Sequence, residues 1–504
     1  MKFITTTFVT LLLITTVGFA QFTTSEDIDE LCGFRMTPQF EQRLDRNLKV
    51  MRSGNYQRSN TIKYAPITLH LVGRTDGSDA YPTNAAIQRL CELNRQFYQA
   101  GIQFYLVDQP GNNGINYPNN DSWYAGSGLA TMLAFHKKPN CLNLFITGTA
   151  LSGGKVVCGF YTGQNDIIVV QKSCYGINNT TMMHELGHML TLPHTFSGLE
   201  GFPQYNCGNQ APANYEKLDG SNCTTIGDRF CDTGPDYLSD RWNCTTQGVS
   251  TCQHVDANGD TFFPSGRFAM SYSNDGCVNL FSGEQITSMN IDYDSRSDIQ
   301  PNGALINDTI TAAVQQSEPP ENSTTVGYSE QFFSWFPVPL ATKYLFELSR
   351  TQIFNGASLV KSVVTTDPWL TNTDGLDQLT DYYWRVKPIN QGYFCASHSV
   401  ARKFTTSDNM IAVNDIPGVS EVQVFPNPSQ GVNQITLTLA SKSNMPATVS
   451  IYAVDGKQLK SQSLDIRSSE NSYAIDVQNL NAGLYLLSLE TKEGTIQQKL
   501  IISK

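Results

Sequence analysis

The sequence predicts a mixed α/β (α+β) domain followed by two all-β sandwich modules. Three observations support this. Helical and strand periodicities alternate between residues 64 and 192. Beyond residue 330 the pattern is strands only, interrupted by two polar breaks. The chain has 504 residues, more than one hydrophobic core serves.

The first twenty residues, with Lys2, an apolar Thr-rich run and small residues Gly18 and Ala20, read as a secretory leader (1–20) cut before Gln21. Residues 21–58 are polar and read as a pro-segment, with Arg52 and Arg58 as accessible cleavage points. A domain over 59–315 follows. "APITLHLV" reads as a strand, and "TNAAIQRLCELNRQFYQAG" as a helix stopped at Gly101. "IQFYLVD", "LNLFITG" and "NDIIVVQ" read as strands. "NNTTMMHELGHMLTL" reads as a helix with Pro193 just past its end. Residues 196–268 are rich in Cys, Gly, Asp and Asn and need cross-links or ions to hold them. "QQSEPPENSTT" reads as a linker. The strands at 320–408 read as one β-sandwich, with Trp335 and Trp384 in its core, and those at 418–504 as another.

The net charge is −11, with no basic stripe. That excludes a nucleic-acid surface. No later segment is apolar for long enough to span a membrane. Twelve cysteines point to an oxidising compartment. Ten lie between Cys91 and Cys277, so the expectation is up to five bridges in one domain, with Cys32 and Cys395 left as thiols.

Three of the seven histidines fall within "HELGHMLTLPH". One helical turn puts His184 and His188 on the same face. With His194 brought back by a sharp turn after Leu190, they form a three-nitrogen zinc site that leaves a fourth position open. Glu185 stands beside it as proton acceptor from a water and donor to a leaving amine. A thermolysin-like arrangement needs a downstream glutamate ligand instead, and His194 removes that need.

The stretch resembles the metzincin metalloproteases, except that Thr191 stands where that family has glycine. Either Thr191 carries a strained positive φ or the turn uses other torsions. The resemblance implies a methionine turn in "RFAMSYSNDGC", with Met270 beneath the metal and Tyr272 donating to an oxyanion. "HTFSG", "GDRFCDTGPD" and "MSYSNDGCVNLFSGEQ" resemble the pappalysin branch over roughly residues 60–300. That likeness implies structural calcium at Asp228, Thr233 and the Cys231 carbonyl. Read alone, Asp228 and Asp232 are turn residues. The likeness also implies disulfides Cys223–Cys252 and Cys244–Cys277. Cys158–Cys174 across a hairpin is a further expectation. "LCGFRMTPQF" is similar to a cysteine switch, implying that Cys32 fills the open zinc position until cleavage near residues 50–60. A structural disulfide or an idle thiol is the other reading of Cys32.

Residues 320–408 resemble a fibronectin type III domain, a spacer or accessory binder. "VFPNPSQG", "VSIYAVDGKQL" with its Asp-Gly-Lys turn, and the closing "GLYLLSLETKEGTIQQKLIISK" resemble the type IX secretion sorting domain of Bacteroidetes. The expectation is a secreted zinc endopeptidase. Its partners are peptide or protein substrates, laid along the edge strand "GFYTG" (159–163), and the type IX machinery. The alternative is a non-catalytic adhesin or binding protein on the same scaffold. An intact Glu185 argues against it.

Overall fold

The computed structural model describes residues 30–503 except 109–111, 164–165, 201–206, 302, 409–415, 417, 430, 454–456 and 493–494. The expected leader, residues 21–29 of the pro-segment and the Asp455-Gly456 turn lie outside the described residues.

In chain order, the first domain comprises β1 (Glu30–Cys32), α1 (Pro38–Arg52), β2 (Lys63–Leu71), α2 (Thr83–Gln96), β3 (Ile102–Leu106), β4 (Ile115–Asn116), α3 (Asp121–Tyr124), α4 (Leu129–His136) and β5 (Leu142–Thr147). It continues with β6 (Ala150–Ser152), β7 (Lys155–Thr162), β8 (Ile167–Gln171), α5 (Thr181–Met189), β9 (His254–Val255), β10 (Thr261–Phe262) and α6 (Gly283–Asp294). One sheet runs β1-β7-β8-β5-β2-β3, with β4 on β2 and β6 on β7. Strands β3, β2, β5 and β8 are parallel, and β7 is antiparallel to β8. Strands β5 and β8 are buried along their whole length, which is why they read as unbroken apolar runs. Leu90 and Leu93 of α2, Leu186 and Met189 of α5, and Met289 and Tyr293 of α6 share one core with these strands. Gly101, at φ +68°, ends the helical stretch after α2 as expected.

The expected pro-segment is built into this domain. Thr37 caps α1, its hydroxyl accepting from Phe40 N–H at 3.2 Å, and Pro38 opens the helix. Phe40, Leu44 and Leu48 enter the main core. The expected edge strand is covered. Strand β1 pairs in parallel with β7, Glu30 against Val157 and Cys32 against Gly159, so the outer edge of β7 is occupied at that point. Gly33 N–H continues the ladder to the Gly159 carbonyl at 2.8 Å.

The disulfides correct part of the expectation. Cys158–Cys174 and Cys244–Cys277 form as expected. Cys223 does not pair with Cys252. It pairs with Cys231, and Cys252 pairs with Cys207. Positive φ at Gly220, Gly227 and Arg229 curls this stretch back on itself, bringing the Cys223 and Cys231 Cα atoms to 5.1 Å. Nor is Cys395 a thiol: it bonds Cys91 of α2. The free cysteines among the described residues are Cys32 and Cys141, both buried.

The second unit comprises β11 (Ser323–Val326), β12 (Gln331–Ser334), β13 (Lys343–Ser349), β14 (Leu359–Thr365), β15 (Trp369–Asn372), β16 (Asp381–Ile389) and β17 (Arg402–Thr406), in sheets β11-β17-β16-β13-β14 and β12-β15. Trp335 and Trp384 pack in its core with Phe333, Phe346 and Phe404, as expected. The module is no loose spacer. Leu345, Ile389 and Phe394 join the core of the first domain. Glu347, fully buried, accepts from Arg385 Nε at 2.8 Å and from Asn84 of α2 at 2.7 Å, and lies 2.7 Å from His398 Nε2. Lys343 pairs with Asp108 at 3.1 Å.

The third unit has strands β18 (Val419–Phe425), β19 (Gln434–Ser441), β20 (Met445–Ala453), β21 (Gln458–Ile466), β22 (Glu470–Asp476), β23 (Gly483–Glu490) and β24 (Thr495–Ile502). They form sheets β18-β19-β22 and β21-β20-β23-β24 around Leu437, Val449, Leu487 and Leu500. No helix among the described residues is long and apolar enough to cross a membrane.

Because Cys91–Cys395 clasps two units that also share a core, Cys395→Ser is expected to lower stability by about 2–4 kcal/mol. Hydrogen exchange should show α2 and β13–β14 losing protection together. Loss confined to the second module would show that the clasp does not couple the two.

Candidate metal centre

Helix α5 starts at a built cap. Asp275 Oδ1 accepts from Thr180 N–H at 2.9 Å and from Thr180 Oγ1 at 2.7 Å, placing a carboxylate at the positive end of the helix. From Met182 to Met189 every residue is buried. The helix ends in a Schellman turn. Leu192 N–H bonds the Gly187 carbonyl and Thr191 N–H bonds the His188 carbonyl, both at 2.9 Å. Thr191 takes the left-handed position at φ +70°. Of the two possibilities for this turn, strain at Thr191 is therefore the one realised, at a cost of order 1–3 kcal/mol.

That turn returns His194 to the helix. His188 Nε2 lies 3.1 Å from His184 Nε2 and 3.2 Å from His194 Nε2. Cys32 Sγ is 3.5 Å from His188 Nε2. Among the described residues these four side chains form the one group that could hold a metal ion, their ligand atoms all within 4.8 Å of one another.

The tautomers follow from the partners. His184 Nδ1 faces the Ala269 carbonyl and His188 Nδ1 the Leu192 carbonyl, both at 2.7 Å. A carbonyl only accepts, so each Nδ1 carries the proton and each Nε2 presents a lone pair to the centre. Burial, then the charge of neighbouring His194, pushes His184 down to about 3 and His188 well below its ordinary value. Both rings are neutral, as metal ligation requires. Burial, then Glu185, pushes the Cys32 thiol well up. A dication beside the sulfur reverses that.

Glu185 is fully buried, and neither carboxylate oxygen has a geometrically sound hydrogen-bond partner. Burial pushes it up to about 8. Met270 lies beneath the helix. A Cβ at position 187 would collide with its sulfur, so glycine is required between the two helical histidines. Tyr272 OH donates to the Cys32 carbonyl at 3.4 Å, its ring 5.0 Å from that of His194.

Residues Asp228 and Thr233 are together. Asp228 Oδ1 accepts from Phe230 N–H at 2.9 Å and Thr233 Oγ1 at 3.1 Å. Cys231 is tied to Cys223, and its N–H donates to Glu284. Asp232 serves α6, accepting from Ser282 Oγ at 2.6 Å and Glu284 N–H at 2.8 Å. Beside them Glu216 Oε2 is buried without a hydrogen-bond partner, and burial, then Asp228, pushes this carboxyl up to about 9.

The sequence profile of the secretion system C-terminal sorting domain matches residues 423–503. The third unit is that sorting domain. It marks the chain as secreted. Its Lys499 ammonium lies over the Trp369 ring of the second unit, 3.1 Å from the ring centroid. Over 234 residues the chain is 25% identical to an extracellular metalloprotease of Arthroderma benhamiae, covering 43% of this chain and 67% of the relative. Among solved structures it is similar to a mutant of Tannerella forsythia promirolysin, with TM-score 0.39 and 17% identity over 53% of this chain and 95% of that one. It is also similar to mature T. forsythia mirolysin in complex with a cleaved peptide, with TM-score 0.33 and 20% identity over 46% and 91%.

Sequence reasoning missed four residues at the site. Phe34 stacks on His188 at 4.0 Å. Glu200 Oε1 meets His194 Nδ1 at 3.1 Å. Arg43 of α1 reaches fully buried Asp292 at 2.6 Å, the Met189 carbonyl at 2.9 Å and Tyr161 OH at 3.2 Å. The contacts themselves join positions up to 249 residues apart.

Proposed function

We propose that the chain is a secreted zinc endopeptidase made as a latent zymogen, with Cys32 in the fourth ligand position. The observation that carries this reading is the convergence of three imidazole Nε2 atoms, with His184 and His188 held neutral by their carbonyl partners, beside a fully buried carboxylate. The donor set fits zinc: three histidine nitrogens and one cysteine sulfur, in tetrahedral number. Zinc held there supplies a Lewis acid and brings the pKa of a water to about 7. Positive charge at the centre lowers Glu185 from its burial-raised value and readies it as a base. Glu185 then takes a proton at a carboxylate oxygen and passes it to the leaving amine. Tyr272 now donates to the Cys32 carbonyl, and a substrate carbonyl in that place receives the same bond as charge develops on it. The rival reading, a non-catalytic adhesin or binding protein, gives no reason to bury a carboxylate whole next to three converging histidines.

Latency rests on three contacts of the pro-segment: β1 on the edge of β7, Cys32 at the histidines and Phe34 stacked on His188. Arg58 is exposed between α1 and β2, a cleavage point that would release all three. Arg43 supports a substrate preference. When the pro-segment leaves, Asp292 loses Arg43 and Arg46, retains only Arg296 at 4.0 Å, and is opened to a basic side chain. Structural calcium at Asp228 and Thr233 belongs to the same proposal. It is supported by the two buried carboxyls, Asp228 and Glu216, which a dication would hold in their charged forms.

Two variants test this. Glu185→Gln keeps the side-chain shape and should lower peptide cleavage by the activated enzyme about 10²–10⁴-fold with zinc content unchanged. Undiminished cleavage contradicts the role. Asp292→Asn should lower kcat/KM for arginine-containing peptides by about 10–100-fold relative to neutral ones. An unaltered ratio removes the basic preference.

A further inference from the structure

His184 and His188 are aimed by carbonyls of the buried scaffold, Ala269 and Leu192. His194 is aimed differently. Its Nδ1 faces Glu200 Oε1 at 3.1 Å, a side chain 36% exposed on the loop that follows. The other oxygen, Glu200 Oε2, accepts from Gly198 N–H at 2.7 Å, which pins the carboxylate in place.

The stacking around His194 leaves work for this bond. Phe196 lies parallel to the ring at 4.7 Å and Tyr272 meets it edge-on at 5.0 Å. Stacking holds the plane of a ring but does not decide which nitrogen points at the centre. A directional acceptor does. An anionic acceptor also polarises the Nδ1–H more than a carbonyl and makes the opposite nitrogen a better donor.

We propose that Glu200 is a positioning residue of the metal centre, fixing the tautomer of His194 and strengthening it as a ligand above the two carbonyl-oriented histidines. This rests on reading the centre as a zinc site.

The test uses the full chain, with zinc affinity measured by competition against a chelator. Glu200→Ala should weaken zinc binding about 10–100-fold. Glu200→Gln retains an acceptor oxygen without the charge and should fall between the two. Nitrogen-15 spectra of the histidine rings should show the His194 Nδ1 resonance shifting in both variants, with those of His184 and His188 in place. A role confined to holding the loop would leave zinc affinity and that resonance unchanged in the folded Gln variant, and this result overturns the proposal. If the unsubstituted chain takes up no zinc, the metalloprotease reading itself fails, a different outcome from equal affinity across the three chains.

Discussion

Three imidazole Nε2 atoms are gathered here, His188 lying little more than 3 Å from each of the other two, and nothing in a protein chain gathers such groups without cause. The arrangement costs burial of polar rings, a β-branched residue at φ +70° and a carboxylate left without a sound hydrogen bond. Each cost is met by a scaffold that over-determines the geometry. The Schellman turn fixes where His194 returns. Two carbonyls fix the tautomers of His184 and His188. Met270 presses the helix from below at the one position, Gly187, that has no side chain. Strain and unsatisfied groups concentrated in one place are the signature of a site rather than of a core.

The proposed pro-segment reads as a second layer of the same construction. It supplies a strand to a sheet edge, a sulfur to a cluster of nitrogens, a ring to a ring and a guanidinium to a buried carboxylate. Each of these groups has the chemistry of something an enzyme of this kind would bind: backbone, metal ligand, apolar contact, basic side chain. The second module adds rigidity through Cys91–Cys395 and the buried Glu347 cluster, so α2 is held between two cores.

Local patterns were legible in the sequence. The helix carrying "HELGH", the strands, the stop at Gly101, the tryptophan cores and the C-terminal sorting domain all depend on neighbours within a few residues. The problem at Thr191 was visible too, because φ preference is a local property, though not which way it resolved. What the sequence hid was contact across distance. Cys223 was expected to reach Cys252, but curled turns brought Cys231 nearer. Cys395 looked unpaired because its partner sits in another unit. The edge strand looked open because its cover comes from residues 127 positions earlier, in β1. Glu200, Phe34 and Asp292 have no motif around them, and only the folded arrangement gives them meaning.

The central claim is that nitrogen and sulfur from these four side chains share one metal ion in the intact chain. Zinc-edge X-ray absorption on the full-length protein measures that directly. The account predicts three nitrogen neighbours at about 2.0 Å and one sulfur at about 2.3 Å, the sulfur disappearing when the pro-segment is removed. A shell of nitrogen and oxygen alone in the intact chain would contradict the latent arrangement, and absence of bound zinc would contradict the whole.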